Sequence, residues 1–177
     1  MLSNRTTLVR TGLLLAGVLI ATSTPGLAQR HRKTVPKKST VVTPVAPLTL
    51  AVKTDQPTYP ADSAVRFTLT AKNTTRQDIP LRFTSGQHYD FELFRGKGVK
   101  GEKVWQWARG MMFTMMLSSM PLKPGKPLEY AETYRPGSAG MPALAPGVYT
   151  VVATLTSVSK SSPLASLPSA STTFKVN

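Results

Sequence analysis

Few residues in this chain could carry out chemistry, and they are poorly placed for it. Two histidines and 8 Asp plus Glu stand against 22 Lys plus Arg among 177 residues, and there is no cysteine. The absence of cysteine excludes disulfides, thiolate metal ligands, a sulfur nucleophile and a lipid-bearing N-terminal Cys. His31 and His88 lie in separate segments, whereas a metal site or a catalytic triad needs several groups converging on one point. Gly96-Lys97-Gly98-Val99-Lys100-Gly101 spells GxGxxG, but nucleotide binding requires a strand before that string and a helix after it. Here it joins two strand-like stretches and reads as a hairpin loop. Gly137-Ser138-Ala139-Gly140 lacks the GxSxG spacing of a nucleophile elbow and reads as a loop. Asn73-Thr74-Thr75 matches a glycan acceptor. A non-enzyme without cofactor or metal is expected.

Two other clusters bear on recognition. Trp105 and Trp107 are two apart, so on a strand they share a face and form either a core contribution or a stacking platform. The stretch from Ala108 to Pro121 holds five of the seven methionines. Thioether side chains adapt to a partner surface, yet the same flexibility lets them fill irregular gaps in a core. Core filling is the expectation.

The elements that must position these residues are strands. Leu48, Leu50 and Val52 alternate with polar neighbours, as do Val65, Phe67, Leu69 and Ala71, and then Tyr89, Phe91 and Leu93; a period of two is the mark of a half-buried strand. Ile79 to Phe83, Lys103 to Trp107, Leu128 to Tyr134, Val148 to Leu155 and Thr172 to Val176 complete the set. With Pro 15 and Gly 12 supplying turns, residues 48–177 are predicted to form an all-β domain. The expected fold is an immunoglobulin-like antiparallel β-sandwich of about eight strands, with a barrel as the alternative. Pro146-Gly147-Val148-Tyr149 resembles the tyrosine corner of such sandwiches.

The first part of the chain reads differently. Arg5 and Arg10 precede the apolar run Leu13 to Ala21, and small residues follow up to Ala28. Residues 1–28 are therefore expected to be a signal peptide, and the protein to be exported: secreted, periplasmic or associated with the cell envelope. The run is about half the ~20 residues a membrane span needs, so no permanent transmembrane anchor is expected. Residues 29–47 carry five basic residues and no acid and read as a flexible basic linker. A formal net charge of +14 allows attraction of that linker to an anionic envelope polymer. No signature of specific nucleic-acid recognition accompanies the charge.

Five motifs occur in order: Ser85-Gly86-Gln87-His88-Tyr89-Asp90-Phe91, Val104-Trp105-Gln106-Trp107, Met112-Phe113-Thr114, Leu122-Lys123-Pro124-Gly125 and Pro146-Gly147-Val148-Tyr149. Together they resemble the intracellular proteinase inhibitor family, BsuPI type. That resemblance implies an immunoglobulin-like sandwich and a noncatalytic inhibitor of subtilisin-type serine proteases. Candidate contact segments are the Lys97 to Lys103 hairpin, the Pro136 to Pro146 loop and the Arg109 to Met120 segment. Within the last, Arg109, Met111, Met112, Phe113 and Met115 are the candidate protease-binding residues. The alternative expectation is a noncatalytic envelope-binding or adhesion module on the same fold.

Overall fold

Alternating apolar residues, cut at short intervals by proline and glycine, leave this chain room for strands and little else. A computed structural model describes residues 42–45, 47–158 and 167–177, and these contain no α-helix. The strands are β1 (Val42–Val45), β2 (Leu48–Thr54), β3 (Thr58–Tyr59), β4 (Val65–Asn73), β5 (Ile79–Phe83) and β6 (Tyr89–Arg95). They continue with β7 (Lys103–Gln106), β8 (Ser118–Leu122), β9 (Leu128–Tyr134), β10 (Gly147–Leu155) and β11 (Ser169–Val176). One sheet has the order β1-β2-β4-β9, a second the order β3-β11-β10-β6-β7, and β5 pairs with β8 in a small third sheet. The fold is the expected β-sandwich.

Side-chain alternation closes the two larger sheets over one core. On β4, Val65, Phe67, Leu69 and Ala71 are fully buried, while Arg66 and Lys72 face water. Phe67 reaches across to Phe91 at 5.9 Å, to Trp105 at 6.2 Å and to Phe174 at 6.2 Å between ring centroids. Each such fully buried side chain contributes roughly 1.5–3 kcal/mol. Strand β10 lies between β11 and β6 and is buried on both faces from Tyr149 to Ala153. The tyrosine corner is present, with the Tyr149 hydroxyl donating to the Ala145 carbonyl at 2.8 Å.

The described residues hold eleven strands rather than about eight, and the three additions are β1, β3 and β8. Val42–Val45, assigned to the linker on sequence, pair antiparallel with β2 from Val42 opposite Ala51 to Val45 opposite Leu48. They take up the edge of β2 that β4 leaves free, and an edge strand tolerates Pro44. Strand β3 is two residues long and pairs parallel with β11, which makes that sheet mixed. Strand β8 carries Pro121 opposite Pro80 of β5. Arg82, two residues on, turns its amide and carbonyl away from β8 toward Ser157 and Val158, so the prolines meet at a rung where the ladder needs no donor from either. The expected signal peptide and linker residues 29–41 lie outside the described residues.

The glycan-acceptor reading of Asn73 does not survive. Its side-chain nitrogen donates to the Gln77 and Leu122 carbonyls, each at 2.7 Å, and the residue is buried. The atom a glycan would occupy is already a structural tie.

Candidate functional site

The methionine-rich segment leaves the sandwich at the end of β7 and returns as β8, and its backbone is held at three places. At its start, the Trp107 amide donates to the Phe91 carbonyl at 2.8 Å. The buried Asp90 side chain then takes the Ala108 amide at 3.1 Å through Oδ1 and the Gln106 side-chain amide at 2.5 Å through Oδ2. Two tight turns follow, from Arg109 N to Gln106 O at 3.3 Å and from Met111 N to Ala108 O at 3.1 Å. Between them Gly110 adopts φ +80°, a conformation glycine takes without steric cost. Midway along, the Gly86 amide donates to the Thr114 carbonyl at 2.9 Å.

An aromatic stack supports the same segment from beneath. Phe113 lies 5.8 Å from Trp107, Trp107 stacks on Tyr89 at 4.4 Å, and Tyr89 stacks on Tyr130 at 4.4 Å. The Tyr89 hydroxyl donates to Glu132 Oε1 at 2.5 Å across the open side of the sandwich. Burial, and then that hydrogen bond, push the Tyr89 phenol well above its ordinary value. Aromatic pairs add about 0.5–1.5 kcal/mol each beyond their buried area, so the base of the loop is firmly set.

The methionines do not fill the core. Met112 is 98% exposed, Met115 91%, Leu117 82%, Met116 59% and Met111 47%. Among the described residues the other strongly exposed large apolar side chain is Val99. The expectation of core filling fails because the backbone ties to Asp90 and Gly86 hold this segment outside the closed sheets. Only Phe113 turns back onto Trp107, while Met120, inside β8, packs partly buried against the core. Arg109, Met111, Met112 and Met115 are therefore exposed together, and Phe113 is separated from them as an anchor. Arg109 and Met111 also line a cleft of about 490 Å³ between β7 and β9, opposite Glu132, Arg135 and Met141.

The other two candidate segments are placed differently. The Lys97 to Lys103 hairpin lies at the opposite end of β7, where the Thr150 hydroxyl donates to Gly96 O at 2.7 Å and accepts from Gly98 N at 2.8 Å. The Pro136 to Pro146 loop folds onto itself. Its Gly137 amide donates to Met141 O at 2.8 Å, the Tyr134 hydroxyl donates to Pro142 O, and Leu144 is buried. The two tryptophans form no joint platform: Trp105 enters the core beside Tyr134 at 5.3 Å, and Trp107 belongs to the stack. Gly86, Asp90 and Thr114 are positioning residues that sequence reasoning missed, although the Ser85-Gly86 pair is visible as a break between strands. No group of three or more His, Asp or Glu among the described residues could hold a metal. The loop can bury apolar surface against another macromolecule.

Comparison with known proteins supplies one family. The family described as intracellular proteinase inhibitor, BsuPI, matches residues 52–160. No curated protein matches the chain. Among solved structures, a β-glucosidase from Erythrobacter marinus is 12% identical with a TM-score of 0.41, over 73% of this chain but only 15% of its own length. Spo0M, a sporulation control protein from Bacillus subtilis, is 14% identical with a TM-score of 0.43, over 75% of this chain and 50% of its own. A CARDB domain from Pyrococcus furiosus is 14% identical with a TM-score of 0.39, over 73% of this chain and 91% of its own. No glycosidase activity follows from these partial likenesses. The family's intracellular designation overturns the expectation of export, which the run from Leu13 to Ala21 carries on pattern alone. No helix among the described residues is long and apolar enough to cross a membrane.

Proposed function

The chain belongs to the BsuPI family of intracellular proteinase inhibitors, and on that footing we propose that it is a noncatalytic, stoichiometric inhibitor of a subtilisin-type serine protease, with residues 109–117 as its contact loop. One observation carries the assignment of the loop: Met111, Met112, Met115, Met116 and Leu117 are all exposed on a backbone tied down at Asp90 and Gly86. Exposed apolar patches of this kind mark interaction surfaces. A loop already held in its bound shape gives up little conformational entropy on docking, which leaves more of the contact energy as affinity.

Inhibition of this type needs no reaction in the inhibitor. The loop occupies the substrate cleft, an exposed methionine enters an apolar specificity pocket, and each side chain fully buried there contributes about 1.5–3 kcal/mol. A stable complex buries roughly 1,600 Å² in total, more than one loop can offer. The rim of the adjoining cleft, where Ala139, Gly140 and Met141 meet Arg109 and Met111, is the natural extension of the surface.

The test is titration of the purified chain into subtilisin, following residual activity and the integrity of the chain together. The expected result is loss of activity at about one equivalent, as a standard-size interface with a preset loop requires, with the chain intact. Cleavage of the chain without inhibition overturns the assignment.

A further inference from the structure

We propose that the contact loop is a peroxide-sensitive release site, in which sulfoxide formation at Met112 and Met115, and then at Met116 and Met111, switches protease binding off reversibly. The inference rests on the functional reading above for its consequence, but its chemistry rests on exposure alone. Of the six methionines in the described residues, four stand in one loop at 98%, 91%, 59% and 47% exposure. The other two, Met120 and Met141, are partly buried and packed against the core, and Met141 Sδ also accepts the Arg135 amide at 3.1 Å. The fold therefore sorts its thioethers into an accessible set at the docking surface and a shielded set in the scaffold.

The reaction needs hydrogen peroxide and nothing from the protein except access. A sulfur lone pair attacks one peroxide oxygen, the O–O bond breaks, and the departing hydroxide leaves as water after taking up the remaining proton. Sulfur is oxidised by two electrons and peroxide is reduced by two. Reversal consumes two thiols of a methionine sulfoxide reductase, which release water and become a disulfide. The product side chain is polar and chiral where the thioether was apolar, so it no longer gains by entering an apolar pocket. Met112 and Met115 make no packing contact that their oxidation could break, since each is more than nine-tenths exposed. The sandwich should stay folded while its docking surface changes character. Leucine in the same places would bury as much apolar area and be indifferent to peroxide, so the two properties can be separated.

The experiment treats the purified chain with hydrogen peroxide, removes the excess with catalase, and measures subtilisin inhibition and thermal unfolding in parallel. Trypsin cuts after Arg109 but not at Lys123, Lys126 or Arg135, each of which precedes a proline, so the loop is released within the peptide Gly110 to Lys160, whose fragmentation locates each added oxygen. Expected are oxygen at Met112 and Met115 before Met120 and Met141, an unchanged unfolding transition, and inhibition weakened by about tenfold or more, as loss of a buried apolar side chain implies. The two epimer-specific sulfoxide reductases with dithiothreitol should restore inhibition. In a variant with Met111→Leu, Met112→Leu, Met115→Leu and Met116→Leu, whose inhibition is measured first without peroxide as its own reference, peroxide should leave that reference level unchanged. Full inhibition by a loop-oxidised chain overturns this inference and leaves the inhibitor assignment standing, as does equal loss in the leucine variant. Absence of inhibition by the untreated chain overturns both.

Discussion

Gly86 and Thr114 approach so closely that a methyl group on Gly86 would meet the Thr114 hydroxyl. The Gly86 amide donates to the Thr114 carbonyl at 2.9 Å, and a Cβ added to Gly86 would lie 2.8 Å from Thr114 Oγ1. This contact ties the middle of the exposed loop to the turn that precedes β6. Gly86→Ala should turn the exposed Thr114 hydroxyl aside at a stability cost of about 0.5–1.5 kcal/mol, that of a displaced side-chain torsion, and weaken subtilisin inhibition. Gly86→Ala combined with Thr114→Ala removes the obstructing hydroxyl and should recover most of both losses. Urea unfolding and inhibition titration of the single and double variants check this; no recovery in the double variant contradicts it.

Asp90 anchors the start of the same loop from within the fold. Asp90→Ala leaves the Ala108 amide and the Gln106 side chain without their acceptor. Buried donors left unpaired cost about 1–3 kcal/mol each, an upper range here because Gln106 is only partly buried. Asp90→Asn should cost less, because Oδ1 can still accept from Ala108. Hydrogen exchange at Ala108 to Met111 should accelerate in the alanine variant well before the core opens. Unchanged exchange there would remove Asp90 from the anchor.

Stability should fall in alkali through the buried phenols. Burial, and then the hydrogen bond to Asp55, push Tyr59 up from 10.0 to about 12. Burial, and then the nearby Tyr149, push Tyr134 from 10.0 to about 12. Each stays protonated in the fold while its unfolded counterpart ionises near pH 10, so the folded state binds more protons across that window. The contribution is complete below pH 10 and is lost as pH rises toward 12. Urea midpoints between pH 9 and 11.5, approximate bounds set around those values, should decline, and Tyr134→Phe should flatten the decline. A slope unaffected by that substitution contradicts the assignment.

The strands that the alternation of Val65, Phe67, Leu69 and Ala71 announces are present, and the Tyr149 corner forms as its motif implies. Strand β8 was hidden because Met120-Pro121 reads as a break, and only its pairing with Ile79–Phe83 makes it a strand. The five motifs that carry the family resemblance do structural work in part: Gly86, Asp90 and Trp107 all anchor the loop. What composition could not decide was which way the methionines face. Met suits a core gap and an adaptable surface equally, and the choice is made by ties from Gly86 and Asp90, residues distant in sequence that local pattern cannot connect to the loop. Likewise Trp105 and Trp107 look equivalent at a spacing of two, but β7 ends at Gln106, so only Trp105 enters the core.

Whether the loop binds a protease or packs the fold is tested most directly by the variant Met112→Ala with Met115→Ala. Both side chains are more than 90% exposed, so urea unfolding should move by no more than about 0.5 kcal/mol. Inhibition of subtilisin by the same protein should weaken by about tenfold or more. Marked destabilisation, or unchanged inhibition at unchanged stability, would contradict the binding role.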